Sequence, residues 1–282
     1  MLVGELRSLL KPPWPVLDVH VHPLGNFGPH RVADAAEDAR ILVAAGKRSG
    51  VEKMCLFSLH PTCPRQPTME LCRESNDYAL AMRDAAPEVF LPFCYVNPMY
   101  PDESVVEIER RVASKEMCGV KLWVAVNASD ARLDPILGCA AALGVPVLQH
   151  AWNNTLGSTP EESTPADVAA LARRHPTVNI IMAHLNGAGL RGIEDVADCP
   201  NVFVDTSGGD PETGITEAAV ASLGPTRVVY GSDAAIRHFG TQLAKVLGVD
   251  LPDAVKRNIV WNNTARLLPS WAEVTPVEEA AA

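Results

Sequence analysis

Eight short apolar runs punctuate the chain, at residues 16–22, 53–59, 89–97, 118–123, 145–151, 179–185, 201–207 and 227–233. Most are apolar at nearly every position instead of alternating, as strands buried on both faces of a parallel sheet must be. Ala-rich segments with helical periodicity lie between them, for example 32–49, 69–86, 165–175 and 213–223. The segment at 165 carries full start signals. Thr164 stands at the N-cap, Pro165 at the first helical position and Asp167 in the first turn, and His175-Pro176 ends it. Eight uninterrupted βα units predict a closed parallel α/β barrel, the (β/α)8 TIM fold. The competing open, doubly wound sheet usually has a Gly-rich phosphate turn after its first strand, and none occurs here.

The chain of 282 residues fits one such barrel, and no linker or composition shift marks a second domain. Residues 1–15 and the tail 270–282 read as peripheral, with the end of the tail frayed. The 24 Lys and Arg residues against 34 Asp and Glu give a net charge of −10. That balance argues against a nucleic-acid or anionic-membrane partner, both of which need a basic surface. A small anionic substrate responds to the local field and stays open. No apolar run reaches the roughly 18–20 residues of a membrane span. The start, MLVGELRSLLKPPWP, has neither an apolar h-region nor a small-residue cleavage site. Seven cysteines form no CxxC pair, and Cys55, Cys94 and Cys118 sit inside strand-like runs. They read as reduced thiols of a cytoplasmic protein, neither a disulfide framework nor a zinc site.

The histidines gather where a barrel builds its active site, at the C-terminal strand ends. His20 and His22 end the first run, His60 follows the second, His150 ends the fifth and His184 the sixth. Asp233 ends the eighth, His238 follows five residues later, and Lys121 lies in the fourth. Residues two apart in a strand share a face, so LDVHVH should put Asp18, His20 and His22 on one side and Val19 and Val21 on the other. Facing the barrel interior, His20 and His22 can share one divalent ion, and His150 and Asp233 can complete its shell from other strands. Such nitrogen and oxygen donors suit Zn²⁺, and also Mn, Fe or Co. Asp18 is expected below the metal, orienting a neighbour by hydrogen bonding. His175 reads as a solvated helix end. Among loop residues, Trp123 and Trp152 can stack on a planar substrate. Arg65 or Arg237 can hold a carboxylate, and His30, His60 and His238 can line the mouth.

The segments LDVHVHP, GVKLW, VPVLQHA, RRHPTVNIIMAHLNG, NVFVDTSG, RVVYGSDA and KRNIVWNNTARLL follow one another from about residue 16 to residue 268. In this order they resemble the amidohydrolase superfamily, in particular its amidohydrolase-2 branch of metal-dependent (β/α)8 hydrolases and decarboxylases. The resemblance implies one divalent metal on His20, His22, His150 and Asp233, with His184 beside it as an acid/base or electrostatic group. Lys121 would lie near the site. In other branches a strand-four lysine is carboxylated and bridges two metals, which would join Lys121 to His150 and His184; a second metal is not the expectation here. The implied chemistry is hydrolysis of an amide, ester or lactone of a small carbonyl compound by metal-activated water. Asp233 would move the proton and His184 would stabilise the oxyanion. The alternative is non-oxidative decarboxylation of an aromatic or unsaturated acid. A shorter chain leaves little room for substrate-embracing insertions, which favours hydrolysis. A third reading is a non-catalytic metal- or ligand-binding barrel. A homo-oligomer, such as a dimer, accords with the resemblance.

Overall fold

Each apolar run becomes a strand. β1 (Val16–Val21), β2 (Val51–Leu56), β3 (Phe90–Pro92, resumed as Cys94–Tyr95), β4 (Val120–Leu122), β5 (Val147–Gln149), β6 (Ile180–Met182), β7 (Val202–Asp205) and β8 (Val228–Val229) are all parallel, and each pairs with the next. The computed structural model describes residues 11–27, 30–153, 159–209 and 212–277. Phe93 interrupts β3 without breaking the ladder, because Phe93 N donates to Leu56 O (2.9 Å) and Cys94 N to Gly119 O (2.8 Å). Residue 119 must be glycine here, since a Cβ would stand 2.5 Å from the Phe93 ring. Beyond its ladder with β7, β8 runs on beside β1. Val19 N donates to Tyr230 O (2.9 Å), Asp233 N donates to His20 O (2.9 Å), and Val21 bridges to Ala234 in parallel. These bonds join the last strand to the first and close the ring.

A helix follows every strand: α1 (Ala35–Arg48), α2 (Met69–Ala85), α3 (Pro101–Val112), α4 (Asp134–Leu143), α5 (Pro165–Arg174), α6 (Leu185–Asp195), α7 (Ile215–Leu223) and α8 (Phe239–Leu247). The signals at Thr164 act as a capping box, the Thr164 side chain accepting from Asp167 N and the Asp167 side chain from Thr164 N. The strands bury both faces, as their composition requires. Leu17, Val19, Cys55, Phe57, Leu91, Phe93, Leu148, Ile181 and Val229 fill the barrel interior. Val16, Met54, Leu56, Val120, Val147, Met182 and Val204 face the helices.

After α8 come α9 (Asp253–Arg257), a π-helical turn (Asn258–Asn262) and α10 (Asn263–Leu267). Trp261, Ala265, Leu267 and Leu268 join the interior cluster against the early residues of the strands and plug the barrel's lower end. The following segment is tied to this plug. Trp271, Val274 and Val277 pack on it, Trp261 Nε1 donates to Thr275 O (2.8 Å), and Val277 N donates to Asn262 Oδ1 (2.8 Å). Residues 1–10, 28–29, 154–158, 210–211 and 278–282 lie outside the described residues. Among the described residues, no helix is long and apolar enough to cross a membrane. With the lower end sealed by side chains, the open end is the mouth formed by the C-terminal strand ends.

Candidate metal centre

β1 does not alternate strictly. Leu17 and Val19 both belong to the interior cluster and Val21 to the outer layer, and the register against β2 shifts between Asp18 and Val21. This irregularity lets His20 and His22 reach the mouth although Val19 also faces inward. Asp18, between two interior-facing neighbours, turns the other way. Its Oδ1 accepts from His20 N (3.0 Å) and Ser232 N (2.9 Å), fastening β1 to the end of β8. Burial pushes its carboxyl up to about 7, against the lowering effect of these hydrogen bonds.

Two acceptors decide which nitrogen of each mouth histidine carries the proton. His20 Nδ1 lies 2.8 Å from Asp205 Oδ2 at the end of β7, and His22 Nδ1 lies 3.1 Å from Phe57 O. A carboxylate and a carbonyl only accept, so both Nδ1 atoms are the protonated ones and both Nε2 lone pairs are free. These lone pairs converge on one oxygen, with His20 Nε2 at 3.6 Å and His22 Nε2 at 3.5 Å from Asp233 Oδ1. All three groups are buried. Burial holds the His20 imidazole well below its ordinary value, and Lys121 adds to the effect. His22 is also lowered, chiefly by burial. For Asp233 burial acts upward, yet its carboxyl lies below the usual carboxylate range, in keeping with the Arg237 guanidinium beside its second oxygen. With both Nε2 atoms bare, this arrangement could hold a cation between the three donors. Donors about 2.0–2.2 Å from a tetrahedral ion stand roughly 3.3–3.6 Å apart, so the spacing fits a divalent metal. His20, His22 and Asp233 form one of two groups whose ligand atoms all lie within 4.8 Å of one another among the described residues. The other, His20, His184 and Asp205, uses the carboxylate that supports His20.

His184 stands beside this group, its ring centroid 5.0 Å from that of His20. Its backbone N donates to Asp205 Oδ1 (3.0 Å), and its Nδ1 is 2.9 Å from Ser207 Oγ. Burial, then the neighbouring His150 and His20, hold it well below the ordinary imidazole value. His184 (φ 75°) and Asp233 (φ 59°) both have left-handed backbones. Such conformations in non-glycine residues cost about 1–3 kcal/mol each and cluster at working sites. Lys121, 1% exposed, puts Nζ 4.4 Å from the centre of the Phe57 ring, and that ring also touches His20 and His22. Burial lowers its ammonium to about 7, although Asp205 and Asp233 pull the other way.

The remaining expected residues are distributed unevenly. His150 stands apart from the three-donor group, because its Nε2 is 3.1 Å from Glu162 Oε1 and its Nδ1 is 3.2 Å from His184 Nε2. Trp152 lies edge-on to His184 at 5.2 Å. Arg237 Nε is 3.5 Å from Asp233 Oδ2. Arg65 donates to Thr159 Oγ1 (2.7 Å) and lies 3.9 Å from Glu162 Oε2. Trp123 packs against the helix-facing core. His60 pairs with Thr62 and Glu74, and His238 caps α8, its Nδ1 accepting from Gly240 N (3.1 Å). His175, at the end of α5, pairs with Asp134 (2.8 Å). Sequence reasoning passed over Asp205, Ser207 and Glu162. Asp205 carried the same signal as Asp233, a carboxylate ending a strand, within NVFVDTSG. Glu162 carried none.

Solved structures with this architecture include a 2,6-dihydroxybenzoate decarboxylase from Rhizobium (16% identity, TM-score 0.71, covering 90% of this chain and 98% of that one). A 5-carboxyvanillate decarboxylase from Sphingomonas paucimobilis is similar at 16% identity and TM-score 0.70, covering 93% of this chain and 99% of that one. A dihydroxybenzoic acid decarboxylase from Polaromonas sp. JS666 with bound manganese is similar at 17% identity and TM-score 0.68, covering 90% and 96%. A search of curated proteins by sequence finds no match. The family model described as amidohydrolase matches residues 18–270. Together with the closed barrel and the donors at its mouth, that match over nearly the whole length means that this chain is an enzyme of the amidohydrolase-2 family.

Proposed function

We propose that the protein is a metal-dependent enzyme that removes CO₂ from a small planar acid, aromatic or unsaturated, without an oxidant. The metal reading rests on one observation, the convergence of His20 Nε2 and His22 Nε2 on one Asp233 oxygen in a buried mouth. The decarboxylase reading is supported by the similar solved structures. They weaken the length argument for hydrolysis, since the likeness extends over 96–99% of those chains. The indole of Trp152 beside His184 suits a flat substrate.

His20, His22 and Asp233 would hold the ion. Bound there, a divalent ion supplies Lewis acidity toward a carboxyl, carbonyl or water oxygen. Asp205 and Phe57 O keep both imidazole protons on the far side, so neither histidine competes for the proton in transit. Decarboxylation breaks the C–CO₂ bond, leaves the electron pair on carbon and requires one proton there. Asp233 is the side chain placed to carry that proton, with Arg237 beside its second oxygen. Lys121, with its ammonium near neutrality, can balance substrate charge from below.

Hydrolysis by the same donors is the second reading, favoured by the same placement of Asp233, which can take a proton from water. The test is product analysis. Protein loaded with Mn²⁺ or Zn²⁺ is incubated with hydroxybenzoates and unsaturated acids, and CO₂ release is followed. Parallel reactions with lactones and amides in H₂¹⁸O report water uptake. CO₂ release supports the proposal. Water uptake with no CO₂ from any acid overturns it in favour of hydrolysis. Failure to retain about one metal per chain overturns the metal reading itself.

A further inference from the structure

We propose that Arg237 determines substrate specificity by gripping a second carboxylate, one that stays on the substrate when CO₂ leaves. The inference rests on the decarboxylase reading above and makes the substrate a small planar diacid. The loop after β8 sets Arg237 over the donors. Its backbone N donates to Asp233 O (3.0 Å), and the next residue, His238, is fixed as the cap of α8. Arg237 Nε then lies 3.5 Å from Asp233 Oδ2. The Asp233 side chain is 6% exposed and that of Arg237 31%, so the guanidinium stands on the solvent side of Asp233. Asp233 does not occupy the guanidinium. Nε is shut off from water and makes no hydrogen bond, and among the described residues no other carboxylate lies within 4.0 Å. The terminal nitrogens are left to meet a ligand.

The other arginine of the mouth loops is already engaged, since Arg65 donates to Thr159 Oγ1 (2.7 Å) and lies 3.9 Å from Glu162 Oε2. Charge balance points the same way. With an ion's two positive charges set against Asp205 and Asp233, the cations left to face the substrate are Arg237 at the rim and Lys121 below. A substrate with one carboxylate answers only one of them. The reaction itself decides which carboxylate Arg237 takes. As the C–CO₂ bond breaks, the charge of the departing carboxylate passes to carbon. A guanidinium clamped on that group would stabilise the bound acid more than the transition state and slow the step. A carboxylate that stays on the substrate keeps its charge throughout. Its two oxygens match the planar guanidinium fork, so gripping it fixes the ring's orientation without opposing the reaction.

The test is calorimetric titration of the full chain, loaded with Zn²⁺, with benzoate and with the 1,3- and 1,4-benzenedicarboxylates. Wild type is expected to bind one of the diacids about 10–100-fold more tightly than benzoate, the range of a charge-assisted pair. Arg237→Gln loses that preference and binds the diacid about as weakly as benzoate. Arg237→Lys, which keeps the charge but not the fork, recovers part of it. Thermal melts establish that the variants fold. A wild type that binds neither diacid more tightly than benzoate overturns the inference. So does a folded Arg237→Gln that keeps the preference, or one that loses affinity for benzoate and diacid alike, since the guanidinium would then grip the only carboxylate. These titrations need no turnover. Water uptake without CO₂ release in the product analysis overturns the decarboxylase reading instead, so the two failures are distinguishable.

Discussion

Replacing Asp205 with Asn strikes the donor arrangement through a residue that does not touch the ion's place. Asp205 Oδ1 accepts from the backbone N of His184 (3.0 Å) and of Ser207 (2.9 Å), and Ser207 Oγ donates to it as well. Oδ2 accepts from His20 Nδ1 at 2.8 Å. In Asp205→Asn the two backbone donors keep the amide oxygen on their side, which turns the NH₂ toward His20. Two donors then face each other, and unless the Ser207 hydroxyl 3.3 Å from Nδ1 takes the bond, His20 moves its proton to Nε2. That shift removes one of the three lone pairs aimed at the ion. The lost bond belongs to the charge-assisted class, worth about 1.5–3 kcal/mol. Loss of a carboxylate behind a ligating imidazole typically weakens metal binding by about 10–100-fold, or roughly 1.4–2.7 kcal/mol. The two routes agree. The assay is chelator competition with Zn²⁺ or Mn²⁺, alongside a thermal melt that confirms the barrel. A folded variant that binds the ion as tightly as wild type would refute the tautomer argument, because no other residue offers His20 Nδ1 a carboxylate within hydrogen-bond reach among the described residues.

Three further outcomes are expected. Asp233→Asn loses about 10²–10⁴-fold in turnover while melting like wild type; unchanged activity in a steady-state assay would remove Asp233 from the proton path. Gly187→Ala puts a Cβ 2.5 Å from the Trp152 ring. It should cost about 1–3 kcal/mol in urea unfolding and shift tryptophan emission as Trp152 leaves His184, and neither change would mean that this wall is loose. Lys121→Met should stabilise the fold at pH 7 on the order of a few kcal/mol, because the buried lysine is held at about 7 against its ordinary 10.5. The unfolded chain binds more protons than the folded one between these values, so wild-type stability rises with pH there and the advantage of Met shrinks. Urea unfolding at pH 7 and pH 10 checks the sign, and a difference independent of pH contradicts it.

The barrel was legible because its cause is local. A strand covered on both faces must be apolar at every position, and eight such runs with Ala-rich partners have few ways to close. His20, His22 and Asp233 were legible for a related reason, since they are polar residues where the apolar runs stop. The face of each residue along β1 was not, because the shift between Asp18 and Val21 comes from pairing with β2 and puts Val21 on the opposite side from Leu17 and Val19. The roles of the histidines were harder still. His20, His22 and His150 look equivalent in the sequence, each an imidazole at a strand end. What separates them is which nitrogen keeps its lone pair, and distant acceptors decide that: Asp205 on β7 for His20, the Phe57 carbonyl after β2 for His22, and Glu162 in the loop after β5 for His150. Periodicity describes one segment at a time, whereas a tautomer is set between segments. A strand-end position therefore tells which side chains can reach the mouth, and the acceptor behind each ring bears on which nitrogen faces it.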